Sequence, residues 1–308
     1  HGRVDELELL DELSRPGRPL SIIAPGGTGK SRVLAELASR RLARGERVLW
    51  VSFESRAPSS GEETTRVVIE ETLTALNLPV DTQAIPLASL IQTLGSTPQT
   101  VCFDNVEHLD GIERPIAALA QACHQLEIIL TSRRRLLLAS GKTFELHGLE
   151  LSDVADGALS PAVQLFLDRA HHRHPGSDEL GSISELCRLV GGHPLAIELS
   201  AQWTSTAPIA ELVERLSDAD GVSTTAVDVA DRHRSLDIVV SSSTDQLSQR
   251  AQRLLRVAAV FSSRCTRADI AAVTDAAAED LAELVEHSML TVDGEWYHDH
   301  LVVRAYAL

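Results

Sequence analysis

Residues 24–31 read Ala-Pro-Gly-Gly-Thr-Gly-Lys-Ser, between the apolar run Leu20-Ser21-Ile22-Ile23 and the helical stretch Arg32–Arg44. A strand, a glycine-rich loop and a helix opening on Lys-Ser is the layout of a phosphate-binding P-loop. This constrains the fold strongly, because such a loop needs a strand ending behind it and a helix N-terminus opening in front of it. Backbone N–H groups across Gly26–Arg32 would cradle phosphate oxygens, since a helix N-terminus has donors without intrahelical acceptors and its dipole favours an anion. The residues lining the phosphate site are Pro25, which has no N–H to donate, and Gly26, Gly27, Thr28, Gly29, Lys30, Ser31 and Arg32. Lys30 would reach the β/γ-phosphates, and Ser31 would hold Mg²⁺ through its hydroxyl. The chain has 26 arginines and only two lysines, Lys30 and Lys142. A compact ammonium fits between phosphates where a planar guanidinium does not. The motif departs from its usual form only at its first glycine, replaced here by the small Ala24.

Two further apolar strands end in polar groups. Val101-Cys102-Phe103-Asp104-Asn105 places Asp104 where P-loop folds hold Mg²⁺ or its waters. The next position, which usually supplies a general base, is Asn105, which cannot take a proton. Glu107 is a substitute base or a solvated glutamate at a helix start. Without a positioned base, hydrolysis should be slow. Ile128-Ile129-Leu130-Thr131-Ser132-Arg133 is the other strand; its carboxyl end faces a ligand crevice in sheets of this type. Ser132 or Arg133 could therefore sense a γ-phosphate, while Arg133-Arg134-Arg135 also reads as a solvated surface run. No guanine-reading Asn-Lys-x-Asp motif occurs, which favours adenine.

Short Val/Ile/Leu-rich runs at 20–24, 47–53, 100–103, 127–131 and 143–146 alternate with helical patterns at 64–76, 87–94 and 112–125. Alternation of this kind predicts a doubly wound α/β layer with a parallel sheet. After residue 150 the pattern is helical: 162–172 opened by Ser160-Pro161, 182–190, 195–203 and 209–216. Residues 217–231 are small and polar and read as a linker. Helices follow at 235–242, 248–260, 267–273 and 279–287. A hairpin-like run over 290–297 turning on Asp293-Gly294 comes next. Helices followed by a hairpin form a winged-helix pattern.

The net charge of −16 divides into −4 over 1–150, −9 over 151–231 and −3 over 232–308. No segment offers the basic face that nucleic-acid binding demands. The four cysteines are scattered in apolar segments, which argues against zinc or a disulfide framework and for buried thiols. With no apolar run near the ~20 residues of a membrane span and no signal-peptide pattern, a cytoplasmic location without membrane contact is expected.

The chain resembles the STAND class of P-loop ATPases (NB-ARC-like signal-transduction ATPases), and within it the core of bacterial SARP-type and large LuxR-type transcriptional regulators. The resemblance runs over nearly the whole length. His1-Gly2-Arg3-Val4-Asp5-Glu6-Leu7 is similar to the family's opening, which implies that Gly2, Arg3 and Val4 border the adenine. Phe103–Leu109 resembles its Walker B segment and Leu130–Arg133 its sensor strand. Gly191-Gly192-His193-Pro194-Leu195-Ala196 resembles its Gly-x-Pro motif, implying that Pro194 packs on adenine. Residues 232–236 and 250–261 are like its winged-helix start. Asp299-His300-Leu301 stands where Met-His-Asp is usual; His300, or alternatively His298, would contact the diphosphate.

The resemblance implies an α/β P-loop NTPase domain of ASCE type at 1–150, an all-α helical domain at 151–225 and a winged-helix domain at 226–308. It implies a slow ATPase serving as an ADP/ATP switch, with Mg²⁺, an ADP-bound autoinhibited rest state and self-association in the ATP state. Lys30, Asp104, Glu107 and Arg133 are the expected catalytic residues, with Ser31 and Asp104 on the metal. Effector and sensor domains would lie outside this core. An AAA+-like motor, or a defence protein sharing the core but carrying a toxic effector, are the alternatives.

Overall fold

A computed structural model describes residues 2–307 apart from 55, 80–86, 152–158, 171–176, 205–207, 221–238, 242–243, 246, 262–263, 276, 288 and 300. The chain forms two compact units: one comprises Arg3–Pro25 and Gly29–Leu146, the other 1–2, Gly26–Thr28 and His147–Leu308.

The first unit is built on a five-stranded sheet of β1 (Leu20–Ile23), β2 (Val48–Ser52), β4 (Gln99–Asp104), β6 (Leu126–Ser132) and β7 (Lys142–Glu145). Its order is β2-β4-β6-β1-β7, and every pairing is parallel. Thus β6 lies between β1, which leads to the P-loop, and β4, which ends on Asp104; this is the inserted strand of the expected ASCE arrangement. Successive side chains on a strand point to opposite faces, and here both faces are buried. Cys102 and Ile129 pack with α1 (Val4–Leu13) and α2 (Lys30–Ala43) through Leu7, Leu10, Leu34 and Leu37. Val101, Phe103, Ile128 and Leu130 pack on the other face. Their partners come from α3 (Glu62–Ala75), α4 (Leu87–Leu94) and α5 (Glu113–Ala122). Phe53 stacks on Phe103 with ring centroids 5.9 Å apart. The described sheet and helices give the α/β layer its doubly wound form.

Three features depart from the sequence expectations. The opening segment folds as helix α1, whose Leu7 and Leu10 are buried at i, i+3 spacing. Two-residue strands β3 (Ser59–Ser60) and β5 (Leu109–Asp110) pair with each other and are too short to show a period. Helix α5 stops at Ala122 because Cys123 leaves helical geometry at φ −106, ψ 82.

The second unit carries α6 (Pro161–Arg169), α7 (Ser177–Leu189), α8 (Pro194–Trp203) and α9 (Ile209–Asp220). Ser160 caps α6 by accepting the Val163 N–H, with proline at the first helical position. Helix α9 runs to Asp220, so the start of the expected linker is helical; the rest lies outside the described residues. Further helices span Gln249–Val260, Arg267–Val273, Ala278–Glu286 and Leu301–Ala307. A small sheet of β8 (Cys265–Thr266), β10 (Trp296–Asp299) and β9 (Leu290–Asp293) contains the hairpin. Gly294 turns it at φ 63, a conformation glycine adopts without strain. One apolar core joins these elements from Leu149 to Val303. All four cysteines are free and buried. Among the described residues no helix is long and apolar enough to cross a membrane.

Candidate nucleotide-binding site

Helix α2 opens at Gly29, which sits at φ 93 and supplies no side chain to cap the helix. Its first N–H groups are therefore the kind of donors that receive anions. Lys30 is the first helical residue and only 6% exposed. Its Nζ donates to the carbonyls of Ala24 at 2.9 Å and Pro25 at 3.0 Å. Burial pushes its pKa down to about 8, while Glu107 and Asp104 pull it up and Arg133 pushes it further down. Ala24, at the motif's first glycine position, is buried, and its N–H donates to Ser132 O across the sheet.

Asp104 ends β4, almost wholly buried. Its Oδ1 accepts from Ser31 Oγ at 2.9 Å and from the Thr131 hydroxyl on β6. Burial raises its pKa above the ordinary carboxylate value, against the lowering effect of the Thr131 and Ser31 hydrogen bonds. The Thr131 oxygen also accepts the Asn105 N–H at 2.9 Å. Asn105 takes φ 60, a left-handed conformation that asparagine tolerates better than most residues. That backbone demand is a physical reason for Asn after Asp104. The role of Thr131 was not apparent in the sequence; the signal was the polar Thr within an apolar strand, but using it requires knowing that β6 lies beside β4.

Glu107 is not a solvated helix-start residue. It is 14% exposed and pairs with Arg133, whose Nε stands 3.1 Å from Glu107 Oε1. The neighbouring Arg134, read from sequence as surface, fastens the segment that follows β4. It donates to the carbonyls of Glu107 and Leu109 at 3.3 and 3.1 Å and to Glu113 at 3.2 Å. Ser132 is buried and its Oγ accepts the Arg134 N–H. The first unit thus brings together Lys30, Ser31, Asp104, Glu107 and Arg133. Arg3 and Val4 lie at the start of α1, where Arg3 pairs with Glu6 at 2.7 Å and burial lowers its pKa.

Within the second unit, the loop tip Gly26–Thr28 meets the turn before α8. His193 caps α8, its Nδ1 accepting the Ala196 N–H, so its Nε2 carries the proton donated to Gly26 O at 2.9 Å. Leu195 N–H donates to Gly27 O at 3.3 Å. Gly27 has φ 76, and a Cβ there would stand 2.8 Å from His193 Cε1 and Leu195 Cβ. Gly191 and Gly192 both take positive φ, forming the turn that sets His193 and Pro194 at the start of α8. Gly2, also in this unit, packs on Pro161 so closely that a Cβ would lie 2.8 Å from it. His300 is outside the described residues, and for His298 only its place in β10 is described.

The donor set fits a magnesium nucleotide. Among the described residues no group of three or more His, Cys, Asp or Glu could hold a metal ion. Ser31 and Asp104 offer two oxygens on one side, which suits a cation that takes its other ligands from phosphate and water. The described sheet has the strand order and loop placement of a P-loop NTPase.

Comparison with known proteins bears on the fold. The chain superposes over its full length on a Signal Transduction ATPase with Numerous Domains (STAND) protein with a tetratricopeptide repeat sensor from Pyrococcus horikoshii. The TM-score is 0.64 at 14% identity, covering 42% of that protein. The fold is that of a P-loop NTPase. In sequence, the chain is 27% identical over 282 residues to proteins provisionally named as HTH-type transcriptional regulators in Mycobacterium bovis and Mycobacterium tuberculosis. The match takes in 90% of this chain and 30% of theirs. It is also 28% identical over 222 residues to an uncharacterised Mycobacterium tuberculosis protein, covering 70% of this chain and 53% of that one. The chain thus spans about 30% of the length of the named regulators it matches. No family model matches it.

Proposed function

We propose that this chain is a STAND-type nucleotide switch that binds ADP or ATP with Mg²⁺ and hydrolyses ATP slowly. The observation that carries the reading is the convergence of Lys30, Ser31 and Asp104 at the carboxyl edge of a P-loop sheet, with Asn105 in place of a base and Glu107 paired to Arg133. Backbone N–H groups at the start of α2 bind phosphate oxygens, and Lys30 exchanges its two carbonyl partners for phosphate. Mg²⁺, when bound, neutralises phosphate charge. Ser31 and Asp104 hold it, and Thr131 orients Asp104 towards Ser31. With Asn105 unable to accept a proton, water activation is weak and turnover slow.

The chain's organisation is read as three domains, at 1–150, 151–225 and 226–308, the last a winged helix. In the resting state ADP is retained, with Pro194 against the adenine and His300 on the diphosphate; exchange to ATP releases the closed form and permits self-association. Transcription control by an effector outside these residues is supported by the mycobacterial relatives' name and by the modest share of their length that the chain spans. The test is to denature purified protein, identify the released nucleotide by ion-pair chromatography and measure steady-state turnover. Stoichiometric ADP with very slow turnover is expected; an empty site with rapid hydrolysis would overturn the switch in favour of a motor.

A further inference from the structure

We propose that Glu107 sets the preference between nucleoside diphosphate and triphosphate by competing with the third phosphate for Arg133. The inference rests on the nucleotide-binding reading above and extends it to a residue that the sequence offered only as a base or a solvated acid.

Arg133 is the first residue after β6, the strand between the P-loop strand β1 and the Asp104 strand β4. It emerges at the sheet edge that carries Lys30, and its charge acts on the Lys30 ammonium together with those of Glu107 and Asp104. Its Nε is engaged by Glu107 Oε1 at 3.1 Å. The second Glu107 oxygen, Oε2, is buried with no hydrogen-bond partner. A carboxylate withdrawn from water with one oxygen unsatisfied depends heavily on its cation. Glu107 also has little freedom to follow Arg133 elsewhere. The three bonds from Arg134 to Glu107 O, Leu109 O and Glu113 hold its backbone in place. Engagement of Arg133 by a ligand therefore breaks the pair instead of dragging it along.

Diphosphate and triphosphate differ by one phosphoryl group, and arginine binds phosphate strongly through its planar donor fork. The work of separating Arg133 from Glu107 falls on the triphosphate alone. Glu107 consequently weakens triphosphate binding more than diphosphate binding, which meets only its field at Lys30, and so biases the protein towards ADP. A residue acting only as a base would alter turnover and neither affinity.

The experiment is calorimetric titration of nucleotide-stripped full chain with Mg-ADP and with a non-hydrolysable Mg-ATP analogue. Wild type, Glu107→Gln, Arg133→Gln and the double variant are compared. Glu107→Gln is expected to raise affinity for the analogue relative to ADP about tenfold, the scale of one partly buried ion pair. Arg133→Gln should weaken the analogue, and the double variant should match Arg133→Gln in the ratio of the two affinities, because Glu107 sets that ratio through Arg133. A Glu107→Gln ratio of affinities within twofold of wild type, or a double variant that keeps the gain, overturns the inference alone. Wild type that binds neither nucleotide overturns the functional reading beneath it.

Discussion

At the C-terminal end of α2, Arg41 meets two carboxylates; at the N-terminal end, Lys30 meets two backbone carbonyls. Arg41 is 3% exposed, with Glu127 at 2.6 Å, Thr100 Oγ1 at 2.7 Å and Asp11 at 3.1 Å; Ser14 adds a hydrogen bond to Glu127. Lys30 is buried nearly as deeply, but its direct partners carry only partial charge, and its pKa falls to about 8. Both side chains belong to one helix and one unit, so the contrast is of chemistry and not of location in different folds. A buried cation with full counter-charges serves the fold. One offered only dipoles is poised to take an anion from outside.

The sharpest way to break this comparison is to remove each cation in turn. Lys30→Met should lose ADP and ATP binding by roughly three orders of magnitude, ~4 kcal/mol, because the ammonium would make charge-assisted bonds to the β-phosphate and, in ATP, to the γ-phosphate as well. The same variant should be no less stable than wild type when both are stripped of nucleotide, since it replaces a costly buried charge by an apolar chain. Titration calorimetry and urea unfolding check the two halves; a destabilised stripped variant would mean that Lys30 holds the fold as Arg41 does. Arg41→Met should behave oppositely. Unfolding free energy should fall by about 3 kcal/mol, because Glu127 and Asp11 lose their common partner. Its nucleotide affinity, measured where the variant is fully folded, should stay within twofold of wild type.

Thr131→Val tests the next layer of the site with an isosteric change. Valine neither donates to Asp104 nor accepts the Asn105 N–H, so a buried carboxylate and a half-buried N–H each lose a partner. Mg²⁺-dependent nucleotide affinity should drop about tenfold, and stability by ~1–2 kcal/mol. Affinity measured in a chelator should hardly move. An equal loss with and without Mg²⁺ would mean that Thr131 shapes the strand ends and not the metal side.

The N-terminal end of α2 was legible in the sequence and the C-terminal end was not, for a physical reason. Lys30 and Ser31 sit in a contiguous motif, because a P-loop is one strand, one loop and one helix start read in order. Arg41 is one of 26 arginines, and its partners Asp11, Thr100 and Glu127 converge only once α1, β4 and β6 are packed. The strands were readable because residues such as Val101 and Ile128 bury one face while Cys102 and Ile129 bury the other, leaving unbroken apolar runs. Thr131 and the Glu107–Arg133 pair escaped because they depend on which strand neighbours which. His193 escaped differently: proline at the helix start is visible in sequence, but the bond from its predecessor to Gly26 spans 167 residues.

The smallest expected effects concern two aspartates whose titrations run in opposite directions. Asp11 is held below its ordinary pKa, first by the Arg44 hydrogen bond, against partial burial and with further help from Arg41. It therefore stabilises the fold above the ordinary aspartate range, and that contribution is lost as pH falls through its lowered folded value. Asp104 is raised by burial, so its charge opposes folding at neutral pH. The fold regains stability as pH falls from that raised value towards the ordinary one. Urea unfolding of nucleotide-stripped protein from pH 7 down to pH 3 separates the two. Asp11→Asn should lose up to about 1 kcal/mol at pH 7, with a shallower acid decline, as expected for a partly exposed ion pair. Asp104→Asn should be more stable than wild type at pH 7, with the gain fading on acidification as the wild-type carboxyl takes up its proton. Shifts of the same sign would remove the distinction between carboxylates that serve the fold and carboxylates kept for a ligand.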